Sequence, residues 1–222
     1  ITTFKNLEAV CDVIYNPLRS KLVITARKQG IKAIGGLYML VYQAAVAGEK
    51  FTGTTVPEEK IDAVYKEILN TKENIVLVGM PSSGKTTVGK ELAKTLNREF
   101  IDTDELILEK IGMPIADYFK TFGEEKFREI ESEVIASLSL KNGAVIATGG
   151  GAILREKNID LLKQNSRIYF LDRPLEQLIT TADRPLSNNK ADLEKRYAER
   201  YELYKKYADV CVDGAGSIEA VA

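Results

Sequence analysis

The chain has 222 residues, 45% hydrophobic and 28% charged, enough for two small domains, or for one ordinary domain plus a fragment, with buried cores and a solvated surface. Its 31 Lys and Arg against 32 Asp and Glu leave no bulk positive field to recruit nucleic acid or an anionic membrane, so any basic site is local. The absence of histidine excludes Ser-His-Asp triads, Cys-His dyads and His-ligated zinc.

In chain order, residues 10–15 read as a short strand ended by the Asn16-Pro17 turn signal, and residues 20–29 as a helix running up to Gly30. After Gly35-Gly36, the apolar run 37–47 reads as a buried helix stopped by Gly48. Pro57-Glu58-Glu59 opens a helix with Ile61, Val64 and Ile68 at helical spacing, and residues 70–74 read as a polar linker. From Ile75 the pattern changes to apolar β runs alternating with helices. Strands are expected at 75–79, 99–104, 144–148, 167–172 and 210–213. Helices are expected at 85–97, 105–112, 124–140, 157–164, 175–180 and 193–208. That alternation predicts an α/β fold with a parallel sheet flanked by helices.

Gly79-Met80-Pro81-Ser82-Ser83-Gly84-Lys85-Thr86 fits G-x-x-x-x-G-K-[ST] between an apolar strand and an amphipathic helix, the context a phosphate-binding loop requires. Ser82, Ser83, Gly84, Lys85, Thr86 and Thr87 are the expected nucleotide-binding residues. Lys85 neutralises charge on the β- and γ-phosphates, and Thr86 ligates magnesium. Asp102-Thr103-Asp104 ends the next strand, at the edge where open α/β sheets bind ligands. As alternate residues of that strand, Asp102 and Asp104 share a face and both point toward the phosphate loop, one near magnesium and one accepting from an attacking alcohol; the plain alternative is that they cap the next helix. Arg128 and Glu131 stand one helical turn apart and can pair, which fixes a guanidinium for a carboxylate ligand or makes an ordinary surface salt bridge. Gly149-Gly150-Gly151 permits close backbone approach to a ligand, or is a plain loop.

Taken together, the phosphate loop, DTD, FREIE, GGG, DRPL and RYELY follow the order and spacing of shikimate kinases, which the chain resembles from Asn74 to its C-terminus. The resemblance implies ATP and shikimate as substrates and Mg2+ as cofactor, in the biosynthesis of aromatic amino acids. It also implies that Arg128 and Arg200 hold the shikimate carboxylate, that Asp104 and the backbone of Gly149, Gly150 and Gly151 meet its hydroxyls, and that Asp102 assists the metal. Lys85, Asp104 and Arg184 are then the catalytic set, with Arg184 carried on a lid that closes over the transferring phosphate and excludes water. The sequence departs from the family at Leu178-Ile179-Thr180-Thr181, where many members carry an arginine that packs on adenine.

Residues 1–72 resemble the end of shikimate dehydrogenase through CDVIYNP, GGLYMLVYQAA and FTG, which implies that Tyr15, Met39 and Gln43 match substrate- or nicotinamide-side positions. The stretch has no G-x-G-x-x-G turn and lacks that family's earlier half, so no hydride transfer is expected from it alone. The chain thus reads as an internal piece of a dehydrogenase–kinase fusion, cut at both ends: residues 1–72 a mostly helical dehydrogenase fragment, residues 73–222 a P-loop kinase. Contact with the missing dehydrogenase part is expected, and the apolar helix at 37–47 would be left as an exposed or self-associating surface. Alternatives on the same scaffold are a gluconate- or nucleoside-monophosphate-type kinase and a silent nucleotide-binding module. Cys11 and Cys211 match no metal or disulfide spacing and read as structural thiols. No apolar run reaches the ~20 residues that span a bilayer, and no signal-peptide layout opens the chain, so a cytoplasmic protein without membrane or nucleic-acid partners is expected.

Overall fold

The computed structural model describes residues 1, 3–178 and 190–222. Near the N-terminus, β1 (Ala9–Cys11) and, after α1 (Lys21–Lys28), β2 (Lys32–Ile34) pair in parallel. The helix begins at Ser20, whose hydroxyl accepts the Val23 amide at 3.3 Å, and buries Val23, Ile24 and Ala26. The strand expected over 10–15 is shorter because Asp12 takes the Ile14 amide at 3.0 Å and turns the chain. The helix α2 (Leu37–Thr52) passes through Gly48, the expected stop, and ends instead at Gly53, which adopts the left-handed conformation at φ 69°. It buries Leu37 and Val41 while Met39 and Tyr42 stay exposed, so the expectation of a buried helix gives way to a half-covered one. Its cover is α3 (Glu58–Lys72), where Tyr65 meets Tyr38 edge-on at 5.3 Å and Asp62 accepts the Tyr38 hydroxyl at 3.0 Å.

No linker separates α3 from β3 (Asn74–Val78), since a single residue, Glu73, stands between them. Asn74, read as linker, is fully buried. Its amide donates to the Lys141 carbonyl at 2.7 Å and its Oδ1 accepts the Ala144 amide at 2.9 Å, so its polarity fastens the start of the strand. The chain then runs α4 (Lys85–Thr95), β4 (Phe100–Asp102), α5 (Thr103–Ile111), α6 (Ile115–Leu138), β5 (Val145–Ala147), α7 (Glu156–Lys163), β6 (Ser166–Asp172), α8 (Lys190–Tyr207), β7 (Val210–Asp213) and α9 (Ile218–Val221). Short 3₁₀ turns lie at Ala152–Leu154 and Leu175–Gln177, the second in place of the longer helix expected at 175–180. The helix expected at 124–140 starts a full segment earlier, at Ile115, and is broken at Gly123 (φ 82°, ψ 167°).

The strands order as β4-β5-β3-β6-β7, every pair parallel, as the βα alternation predicts. Side-chain alternation divides them between two layers. Val76, Val78, Ile146, Ile168 and Phe170 enter a core with Ile135 of α6, Leu162 of α7 and Tyr204 of α8; Leu77, Val145 and Leu171 face Val88 and Ala93 of α4. Burial of each large side chain contributes about 1.5–3 kcal/mol. Because all the strands run one way, the loops after β3, β4, β5 and β6 emerge at one edge, and that edge carries the site. The N-terminal segment is tied to the α7–β6 turn at the other end: the Leu18 amide donates to Asn165 Oδ1 at 2.7 Å, and Arg19 donates to the Lys163 and Ser166 carbonyls, each at 2.7 Å, while pairing with Glu73 at 2.8 Å. No helix among the described residues is long and apolar enough to cross a membrane.

Candidate active site

After β3 the chain doubles back through Ser82 (φ 65°) and Gly84 (φ 92°), and α4 begins with no acid in its first turn. The first-turn amides and the positive helix end therefore meet no competing carboxylate from their own helix. Lys85 is 7% exposed and donates to the Gly79 and Met80 carbonyls at 2.9 and 2.8 Å, which folds its ammonium over the loop. Ser83 Oγ is buried without a hydrogen-bond partner among the described residues, a state that costs about 1–3 kcal/mol and that an anionic ligand in the loop would relieve.

Thr86, one residue into α4, donates its hydroxyl to Asp102 Oδ2 at 2.8 Å. The other oxygen, Oδ1, accepts the Asp104 amide at 2.9 Å, so Asp102 ends β4 and caps α5 in one position. Asp104 therefore sits in the first turn of α5 and not on a continued strand, which corrects the shared-face argument. It reaches the cavity by another route: its Oδ1 lies 2.6 Å from where a Cβ on Gly149 would stand. The Thr86 hydroxyl beside the Asp102 carboxylate is a hard oxygen pair next to the phosphate loop, and such a set fits magnesium, which binds through one or two carboxylates together with substrate phosphates.

Opposite the loop, α6 presents Arg128, whose NH1 donates to both oxygens of Glu131 at 3.1 and 3.0 Å, with Glu131 itself 1% exposed. Burial, opposed by Arg128 and reinforced by Asp104, leaves the Glu131 carboxyl above its ordinary value. Burial also works against the Arg128 charge, but Glu131 and Glu124 outweigh it and the net shift is upward. The glycine loop after β5 lies under these groups. A Cβ on Gly151 would overlap the Arg128 guanidinium, and one on Gly150 would press on Pro81 at 3.0 Å. From α8, Arg200 NH1 and the Tyr204 hydroxyl converge on the Gly150 carbonyl at 3.2 and 2.6 Å. Burial drives the Tyr204 phenol well above its ordinary value, so it stays a donor.

One cavity of about 730 Å3 joins these pieces: Ser82, Gly84, Lys85, Thr86 and Thr87 on the nucleotide side, and Asp102, Asp104, Arg128, the three glycines and Arg200 on the acceptor side. Ser83, from the same expected set, is buried behind them, and Arg184 and residues 179–181 lie outside the described residues. Lining groups that the sequence reading did not single out include Phe119, Phe127, Arg173 and Arg196. Arg173 follows the end of β6 and Arg196 precedes Arg200 by one helical turn, so strand-edge and i,i+4 spacing were signals for both.

The shikimate kinase family model matches residues 81–222, well over half of the chain. The chain belongs to the shikimate kinase family. Its α/β sheet is that family's P-loop kinase fold, and the enzyme is an ATP-dependent phosphotransferase. A shikimate kinase of Clostridium botulinum (strain Eklund 17B / Type B) is 42% identical over 154 residues, which cover 68% of this chain and 93% of that protein. Among solved structures, shikimate kinase from Acinetobacter baumannii in complex with shikimate aligns at a TM-score of 0.64 and 35% identity, covering 68% of this chain and 89% of that one. Shikimate kinase from Aquifex aeolicus aligns at 0.59 and 36%, covering 67% and 90%.

Proposed function

We propose that the chain transfers the γ-phosphate of ATP to the 3-hydroxyl of shikimate, giving 3-phosphoshikimate and ADP. The observation that carries this reading is the common cavity, in which a phosphate loop faces a buried Arg128–Glu131 pair lying against Gly151, with Arg200 donating to the Gly150 carbonyl. Arg128 and Arg200 take the acceptor's carboxylate as charge-assisted hydrogen bonds, which sets its ring over the glycine loop. Gly149, Gly150 and Gly151 let the ring approach the backbone, and Asp104, packed on Gly149, accepts from the attacking hydroxyl. Ser82, Ser83, Gly84, Thr86 and Thr87 cradle the nucleotide phosphates, and the Lys85 ammonium exchanges loop carbonyls for phosphate oxygens.

In the reaction the hydroxyl oxygen bonds to the γ-phosphorus as the bond to the β-phosphate oxygen breaks. Its proton passes toward the Asp104 carboxylate, and ADP departs. Thr86 and Asp102 are the residues that would hold Mg2+, which when bound supplies charge neutralisation across the β- and γ-phosphates. Arg184 is assigned, by family resemblance, to a lid that adds positive charge and shuts out water. Asp104→Asn tests the base or orienting role: kcat should fall by about 10²- to 10⁴-fold while shikimate still binds, and unchanged kcat removes the assignment.

For residues 1–72 we retain the reading of a dehydrogenase-like fragment, with the kinase unit beginning at residue 73. In its support, the Ile14 carbonyl accepts the Gly36 amide at 2.8 Å and brings the turn carrying Tyr15 beside the helix carrying Met39 and Gln43. A cytoplasmic location belongs to the same reading. Cys11 and Cys211 are unpaired and exposed, which fits a reducing compartment and replaces the role of structural thiols.

A further inference from the structure

The acceptor side of the cavity holds one more arginine than the proposed chemistry uses, and its best arginine is already occupied. Glu124 Oε1 takes Arg128 Nε and NH2 at 3.3 and 2.9 Å, while Glu131 holds NH1. The two carboxylates differ in what holds them. Glu131 is buried in the core of the site, whereas the Glu124 side chain is 62% exposed and stands in the first turn after the break at Gly123. Arg128 is buried and only the Glu124 end of this i,i+4 pair is open to solvent, so of the two carboxylates only Glu124 can swing away into water without unpacking the site.

A second cavity of about 290 Å3 adjoins the first, and Glu124, Arg196 and Arg200 line it together. Arg196 borders both cavities. Burial and the neighbouring Arg200 pull its guanidinium below the ordinary arginine value, while Asp192, one turn earlier on the same helix, and Glu124 act in the opposite direction. Arg200 Nε, on the same helix, is buried without a hydrogen-bond partner among the described residues. A guanidinium lowered by burial and by Arg200, with Asp192 as the carboxylate on its own helix, gains from a second carboxylate, and Glu124 lines the smaller cavity with it.

We propose that Glu124 is an internal occupant of the acceptor-carboxylate position on Arg128, and that Arg196 is a positioning residue that receives Glu124 when an acceptor carboxylate displaces it. The inference rests on the reading of Arg128 as the acceptor's carboxylate ligand. A guanidinium holding two carboxylates has no clear edge for a third, so the acceptor binds by exchange. Without Arg196 the displaced Glu124 would remain beside both the acceptor carboxylate and Glu131, three like charges around one guanidinium. By the same exchange, any anionic ligand must outcompete a tethered carboxylate before it takes Arg128.

The test is a double-mutant cycle read by calorimetric titration with shikimate. Arg196→Gln should weaken binding by about two- to fivefold, and Glu124→Gln should tighten it by a similar factor, the scale of one ion pair with a solvent-exposed partner. In the Glu124→Gln background, Arg196→Gln should have little further effect, because nothing is left to receive. Arg196→Lys should keep most of the wild-type affinity. In steady-state assays the Arg196→Gln effect should fall on the acceptor KM more than on kcat. An equal loss from Arg196→Gln in both backgrounds, or no loss in either, overturns the inference, provided that Arg128→Gln abolishes shikimate binding. If Arg128→Gln binds shikimate as the wild type does, the underlying reading fails first and the exchange with it.

Discussion

Arg128 carries more of the site than any other side chain, and the residues around it are chosen by what its guanidinium tolerates. It is 6% exposed, braced by Glu131, and so close to Gly151 that any side chain there would overlap it. Gly151→Ala should therefore raise the acceptor KM by about tenfold or more, the scale of a lost charge-assisted hydrogen bond, while nucleotide affinity is held; titrations with each substrate separate the two. An equal loss in both would place the damage in the fold instead. Lys85, Thr86, Arg128 and Glu131 were legible in the sequence because their motifs fix spacing on one helix turn or one loop. Glu124 and Arg196 were not, since what matters about them is the second carboxylate on Arg128 and a cavity between helices far apart in the chain.

At the scale of elements, α8 is positioned by polar contacts as much as by its apolar face. Tyr204 stacks on Phe170 of β6 at 5.1 Å and Tyr201 donates to Asp172, at the end of that strand, at 2.9 Å. The hydrogen bond to Asp172, with burial adding to it, pushes the Tyr201 phenol up to about 12. A folded value raised above the ordinary 10.0 means that the contribution is whole below pH 10 and is lost as pH rises through about 12. Tyr201→Phe should accordingly cost stability at neutral pH, and the gap from wild type should close toward pH 12 in denaturant unfolding; a gap constant with pH contradicts this. The parallel sheet and most of its helices followed from apolar periodicity. The misplaced boundaries share a cause, namely that a distant partner decides them. Asn74 is strand and not linker because residues 141–144 satisfy its amide, and Asp104 is helix and not strand because Asp102 caps the turn before it.

In the whole molecule, the N-terminal segment and the kinase sheet are joined at the end away from the phosphate loop. Asn165 is the joint: its Oδ1 takes the Leu18 amide at 2.7 Å and its amide donates to the Ser139 carbonyl at 2.8 Å, with the side chain 1% exposed. Asn165→Ala should destabilise the protein by about 1–3 kcal/mol by orphaning buried groups, yet leave kcat near wild type, since the catalytic edge is at the other end. Loss of kcat without loss of stability would mean that the segment communicates with the site. The central claim, that this cavity phosphorylates shikimate, is tested most directly by coupled ADP release with ATP and magnesium, run with shikimate, with gluconate and without acceptor, beside Lys85→Ala. The account predicts ADP release that depends on shikimate, is absent with gluconate, and disappears in Lys85→Ala; release that is indifferent to the acceptor, or equal in the Lys85 variant, would contradict it.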